Sequence, residues 1–271
     1  MRFALLSVSV CLMAIAPAAA TCEYRPEWRG RDTASFVADA EACLAAPKEG
    51  FRIDPAVEQE VFDRVNAARR EAGRAPLEHR EALLRPARLH SFDMAQDWFF
   101  AHEGPDGRSV SERVAALDRT LIHSEIRENI AKIGGDLNWA DTSEILHNIL
   151  FESDGHRENM LSPRLTHMAM GVVRTDDGAW ITQIFVRLEG QFTRPVPASL
   201  SAAQPQIPGV QMADWAHGET RLLIDNKQYP STALDPTLRG EANLIVKGTR
   251  ALSEFRFETI NLIGPSTTLR K

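Results

Sequence analysis

The apolar residues of this chain change period near residue 168, and no other feature constrains the fold as strongly. Upstream they recur every three or four positions, as on one face of an α-helix, and downstream they gather into β-prone runs. Asp54-Pro55 combines an N-cap acceptor with a proline whose missing N–H costs nothing there, and Val57, Val61, Val65 and Ala68 then line one face until Gly73. A second helix is predicted from about Arg80 to Phe99, carrying Leu83, Ala87, His90, Met94 and Trp98, with Pro86 in or near its first turn. Shorter helices are expected over Ser109–Leu117 and Thr142–Leu150. Met168–Arg174 and Ala179–Leu188 flank Thr175-Asp176-Asp177-Gly178, a hairpin signal. Helices first and an antiparallel pair after define an α+β layered domain over residues 51–190.

With 271 residues, 44% of them hydrophobic and 25% charged, the chain can build a full core. Its net charge of −6 and its scattered Lys and Arg argue against a nucleic-acid partner. Met1-Arg2, an apolar stretch from Ala4 to Ile15, Pro17 and Ala18-Ala19-Ala20 read as a secretory signal peptide over residues 1–20. That run is too short to cross a bilayer, and no later segment reaches the length of a transmembrane span. The expected destination is therefore the periplasm or the exterior. Cys11 leaves with the signal, so Cys22 and Cys43 remain, and an even pair in an exported protein suggests a disulfide. Ala19 and Thr21 do not match the pattern that precedes a lipid-attachment cysteine, which argues against lipidation of Cys22. Cys43 shares helical spacing with Phe36, Val37, Ala40 and Leu44, so a bridge would staple an N-terminal helical segment, residues 21–50.

Beyond the layered domain, Pro195, Pro197, Pro205 and Pro208 punctuate a stretch read as a linker, residues 191–208. A small β-rich tail is expected over 209–271, with strands at Arg221–Asp225, Leu244–Lys247 and Phe255–Ile263 and no motif that carries chemistry.

Four stretches stand out by residue type: His90-Ser91-Phe92-Asp93-Met94-Ala95, Phe99-Phe100-Ala101-His102, Glu128-Asn129-Ile130-Ala131 and Gly155-His156-Arg157-Glu158-Asn159-Met160-Leu161. In this order, ahead of Gly171-Val172-Val173 and Trp180-Ile181-Thr182-Gln183, they resemble the bacterial branch of the CAP superfamily, the SCP/PR-1 or YkwD-like proteins, over about residues 57–190. The resemblance implies an exported three-layer α-β-α sandwich with a cleft lined by two histidines and acidic residues. In several members that cleft binds a divalent metal such as zinc. It carries over to His102, Glu128 and His156. The second acid of the plant and animal branch has no match, since Leu150 and Ser153 stand at those places, with Glu152 or Asp154 as substitutes. Arg127 also replaces the usual glycine before the Glu-Asn-Ile motif.

Two neutral imidazoles and one carboxylate are an ordinary zinc ligand set, so one zinc or other divalent ion on His102, His156 and Glu128 is the expected cofactor. The preferred reading is a binding or interaction module for a small apolar ligand, a lipid or a protein. The alternative is a metal-assisted hydrolase of peptide or ester bonds, with Glu128 as general base or metal ligand beside His102 and His156. A structural envelope protein is a third. The chain has no His-Glu-x-x-His motif, His102-Glu103 being followed by Asp106, and no Gly-x-Ser-x-Gly elbow. Against all chemistry stands a plain hydrogen-bonded cluster of the same three residues that only holds the cleft together. His90, with Asp93 and Asp97, either extends the site or, as the preferred reading has it, packs or pairs along its own helix; Arg157 is expected to pair with Glu128 or Glu158, and Asn129 and Asn159 to tie loops. Trp98, Phe99 and Phe100 are either core or a ligand-facing wall.

Overall fold

The computed structural model describes residues 30–97, 99–135 and 139–270. The expected signal peptide, Cys22 and Trp98 lie outside the described residues. In chain order the elements are α1 (Thr33–Ala45), β1 (Arg52–Ile53), α2 (Pro55–Glu71), β2 (Glu78–His79), α3 (Leu84–Asp97), α4 (Val110–Leu117), β3 (Leu121–Gly134), α5 (Thr142–Glu152), α6 (Asp154–Leu161), β4 (His167–Arg174) and β5 (Gly178–Phe192). After these come β6 (Ser199–Ser201), β7 (Val210–Met212), β8 (Ala216–Ile224), β9 (Lys227–Pro230), β10 (Gly240–Ser253) and β11 (Arg256–Arg270).

β5 pairs antiparallel with β4 on one side and with β3 on the other, forming the centre of one mixed sheet. Successive side chains on a strand point to opposite faces. Trp180, Ile184 and Val186 of β5 accordingly pack with Phe36 of α1, Leu89 and Ala87 of α3 and Val114 of α4. Ala179, Ile181 and Phe185 pack on the other face with Val61 of α2, Leu146 of α5 and Met160 of α6. Helices thus cover both faces, which makes the domain an α+β sandwich of three layers. α2 starts as its sequence dictates, with Asp54 accepting from the Val57 amide and Pro55 in the first turn. α3 begins at Leu84, after a short 3-10 turn, so Pro86 falls in its first turn. The contact of α3 with β4 needs a glycine: a Cβ on Gly171 would come within 2.2 Å of the Arg88 nitrogen. Through that gap Ser91 donates to the Gly171 carbonyl at 2.9 Å.

Residues 191–208 depart from the linker expected of them. Val196 and Leu200 are buried, the Val196 amide donates to the Arg119 carbonyl, and β6 pairs in parallel with β11. The prolines there interrupt strand pairing because they lack an N–H, while the segment as a whole stays packed. The tail strands are longer than expected, and two more are present, β7 pairing with β5 and β9 with β8. They extend the central sheet in the order β3-β11-β10-β8-β9, meeting β3 at Ile263 opposite His123. Ile122 of β3 and Phe192 of β5 share a core with Leu222, Leu244 and Leu262 of the extension. No helix among the described residues is long and apolar enough to cross a membrane.

Candidate functional site

Glu128 lies on β3, a strand that sequence patterning did not predict because charged residues interrupt its alternation. Pairing with β5 along its length imposes the strand regardless. Alternation then sends Glu128 toward α4 and its neighbour Asn129 toward α6. The Glu128 side chain is 2% exposed, and both of its oxygens are engaged. One accepts from the Arg113 guanidinium at 2.5 Å, and the other meets His102 Nδ1 at 2.9 Å. Arg113, itself buried on α4, also donates to the carbonyls of His102 and Arg108, at 2.9 and 2.7 Å. One guanidinium therefore holds both the carboxylate and the loop that carries His102.

These contacts set the charge states. Burial alone would raise the Glu128 pKa, but the bond to His102 and the Arg113 charge outweigh it and hold the carboxyl below its ordinary value. The bond to Glu128 raises the His102 pKa against the opposing effect of burial. The pKa of His156, on α6, is pushed the other way, by burial first and then by the charge of His102. His156 Nδ1 is buried and has no hydrogen-bond partner among the described residues. Its backbone carbonyl accepts from Asn129, whose side chain also donates to Gln183 Oε1 at 3.0 Å and accepts from Asn159 at 2.8 Å. Asn129 and Asn159 thereby tie β3 to α6.

Among the described residues no group of three or more His, Cys, Asp or Glu side chains is placed to hold a metal ion. At Glu128 both carboxylate oxygens are already engaged, one by a guanidinium and one by an imidazole. Two imidazoles remain beside it, His102 with a side chain more than half exposed and His156 with a buried Nδ1 that no described residue bonds, while Glu128 orients the first from behind.

Other expected partners are placed differently. Arg157 pairs with Asp154 and donates to the Phe151 carbonyl, and does not pair with Glu128 or Glu158; Glu158 faces Arg127 at 3.5 Å. Glu152 is exposed, and Asp154, with an exposed side chain, pairs with Arg157. His90 is a core residue, bonded to the Ala101 carbonyl at 2.9 Å and edge-on to Phe99. Phe100 is 46% exposed, with the Lys132 ammonium 5.4 Å from its ring centre. Arg113 is the residue that motif reading overlooked. It is buried on α4 beside Val114 and Leu117, and a cation at such a position requires a buried anion, which is the signal that could have found it.

Two buried histidines make stability depend on pH. Burial lowers the His90 pKa to about 3 with help from Arg113, and burial likewise lowers that of His123 to about 4. As pH falls below 6.5, the unfolded chain takes up two protons that the folded chain refuses until about 4 and about 3, so stability is lost through that window. His102, with its raised pKa, works in the opposite sense. Urea midpoints measured across the window should fall with acidification, and His123→Leu should flatten the slope; an unchanged slope would contradict the assignment.

The Cysteine-rich secretory protein family profile (CAP) matches residues 62–185. YkwD, an uncharacterized protein of Bacillus subtilis, is 32% identical over 131 residues, which is 48% of this chain and 47% of that protein. YlbC, an uncharacterized membrane protein of the same organism, is 28% identical over 136 residues, 50% of this chain and 36% of that one. The chain therefore spans about half the length of the first relative and about a third of the second. A solved extracellular protein of Bacillus anthracis that contains an SCP domain aligns at 25% identity with a TM-score of 0.40, covering 49% of this chain and 41% of that one. The layered domain is a CAP-superfamily domain of the SCP/PR-1 type. Over that domain the chain is similar to the bacterial protein YkwD.

Proposed function

We propose that this chain is an extracytoplasmic binding module whose ligand is taken at the cleft of His102, Glu128 and His156, with a divalent ion such as zinc held by the two imidazoles. The observation that carries this reading is the Glu128 carboxylate, bonded on one side to Arg113 and on the other to His102 Nδ1. That arrangement fixes the His102 ring and leaves its outer edge toward the ligand. Such an ion supplies a Lewis-acidic point at which an oxygen or nitrogen of a ligand can bind. Exposed Phe100, two residues before His102, adds an apolar surface suited to a ligand with a hydrophobic part. Hydrolysis is less well served: a carboxylate whose pKa is held low by its partners is a poor general base.

Zinc titration of the metal-free chain, alongside a folded His102→Ala/His156→Ala double variant, tests the reading. One tight site in the parent, lost in the variant, is expected. Equal or absent binding in both would remove the ion from the proposal and with it any metal-assisted hydrolysis. The leader-like residues 1–20 support export, and the buried place of Cys43 on α1 supports a Cys22–Cys43 disulfide as a staple of this segment.

A further inference from the structure

We infer that the C-terminal β-rich extension, acting through α1, positions the His102 loop, and that Glu241 and Arg108 are the positioning residues. This deepens the reading of the cleft as the binding site and assigns a task to an extension that carries no motif of its own.

The contacts run without a break from the extension to the site. Glu241, on β10, accepts from the Thr33 amide at 3.0 Å and from its hydroxyl at 2.5 Å, and its other oxygen accepts from Thr268. Thr268, on β11, accepts in turn from the Ala34 amide at 3.1 Å. The first amides of a helix have no partner within it, so the extension caps α1 with groups of its own. α1 and the residues that lead into it then hold Arg108: the guanidinium donates to the Arg31 carbonyl, just before the helix, and lies over the Phe36 ring of α1, 4.1 Å from its centre. Arg108 also pairs with Asp106, and its carbonyl accepts from the Gly104 amide at 2.9 Å, which closes the loop that begins at His102. The same carbonyl accepts from Arg113, the guanidinium that grips the His102 carbonyl and Glu128. A shift of α1 therefore reaches His102 through hydrogen-bonded and stacked groups rather than through flexible chain. A small cavity of about 140 Å³, bordered by Thr33, Arg108, Glu112 and Glu241, lies at this junction.

Spatial continuity alone does not establish coupling, so the test reads His102 itself. The bond to Glu128 requires the proton on Nδ1 of the neutral ring, whereas a free imidazole favours Nε2; the bonded partner sets the tautomer. Long-range proton–nitrogen NMR spectra of the metal-free full chain, recorded at alkaline pH and assigned with His102→Ala, report that choice. The parent and Glu241→Gln, which keeps an acceptor toward Thr33, are expected to show the Nδ1 form. Glu241→Ala is expected to lose it in favour of the Nε2 form, and so is Arg108→Met, which supplies a second break should Glu241→Ala fail to fold. Circular dichroism identifies the folded variants. An intact Nδ1 form in a folded break variant would overturn the inference. So would Glu241→Gln behaving like Glu241→Ala, because loss of charge rather than of position would then be the cause. No ion is needed for this readout, so a failed zinc titration leaves it standing.

Discussion

Arg113→Met should destabilise the folded chain by about 3–5 kcal/mol, the usual cost of leaving one partner of a buried ion pair alone. Arg113 is 1% exposed, and the Glu128 carboxylate it grips is buried with it. Methionine fills similar space but gives back none of the three bonds to Glu128, His102 and Arg108. The His102 ring on the other oxygen offsets only part of the stranded negative charge, because it is more than half exposed. Urea unfolding of the two proteins reads the loss directly. Adding Glu128→Leu to Arg113→Met should recover a substantial part of it, since the uncompensated charge is then gone. Strictly additive losses in the double variant would show that the two side chains act independently.

Arg119→Met should be comparably costly, by a different route. Arg119 donates to five backbone carbonyls, those of Ala115, Ala116, Val196, Pro197 and Ser266. Two of these close the C-terminal turn of α4, two belong to the proline-rich segment, and one belongs to β11. Burial dominates its electrostatics and lowers its pKa to about 10, so it remains a cation at neutral pH. Each buried carbonyl left without a donor costs on the order of 1 kcal/mol, and several are lost together, so about 3 kcal/mol or more is expected. The same substitution should open residues 193–209 to limited proteolysis before the layered domain is cut. A variant as stable and as resistant as the parent would mean that water or neighbouring donors replace the guanidinium. The two arginines differ in kind: Arg113 answers a buried charge, whereas Arg119 binds three separate pieces of chain to one point.

The helices of the layered domain, α6 excepted, were legible in the residues themselves. Asp54-Pro55 starts α2, Val57, Val61 and Val65 face the core, Pro86 sits in the first turn of α3, and the Asp-Gly turn joins β4 to β5. Each of those signals acts over a few residues, and the packed fold did not override it. β3 escaped because Glu125, Arg127, Glu128 and Lys132 break its alternation, and only pairing with β5 makes a strand of it. α6 escaped because it is a helix of 8 residues with Gly155 in its first turn. The proline-rich stretch read as a linker because composition cannot show that Val196 and Leu200 find a core to enter.

The candidate site divides in the same way. His102, Glu128 and His156 were named from motif likeness, but their roles relative to one another were not. Residue order determined the helix faces, the central hairpin and the chemical types available to the cleft, because periodicity, turn chemistry and side-chain identity are local properties. Only the tertiary structure decided that Arg113 and not Arg157 meets Glu128, that the carboxylate stands behind His102, and that the extension continues the central sheet and caps α1. These are pairings between groups tens to hundreds of residues apart. A buried charge or an uncapped helix end declares in the sequence that it needs a partner, and the fold chooses which one it receives.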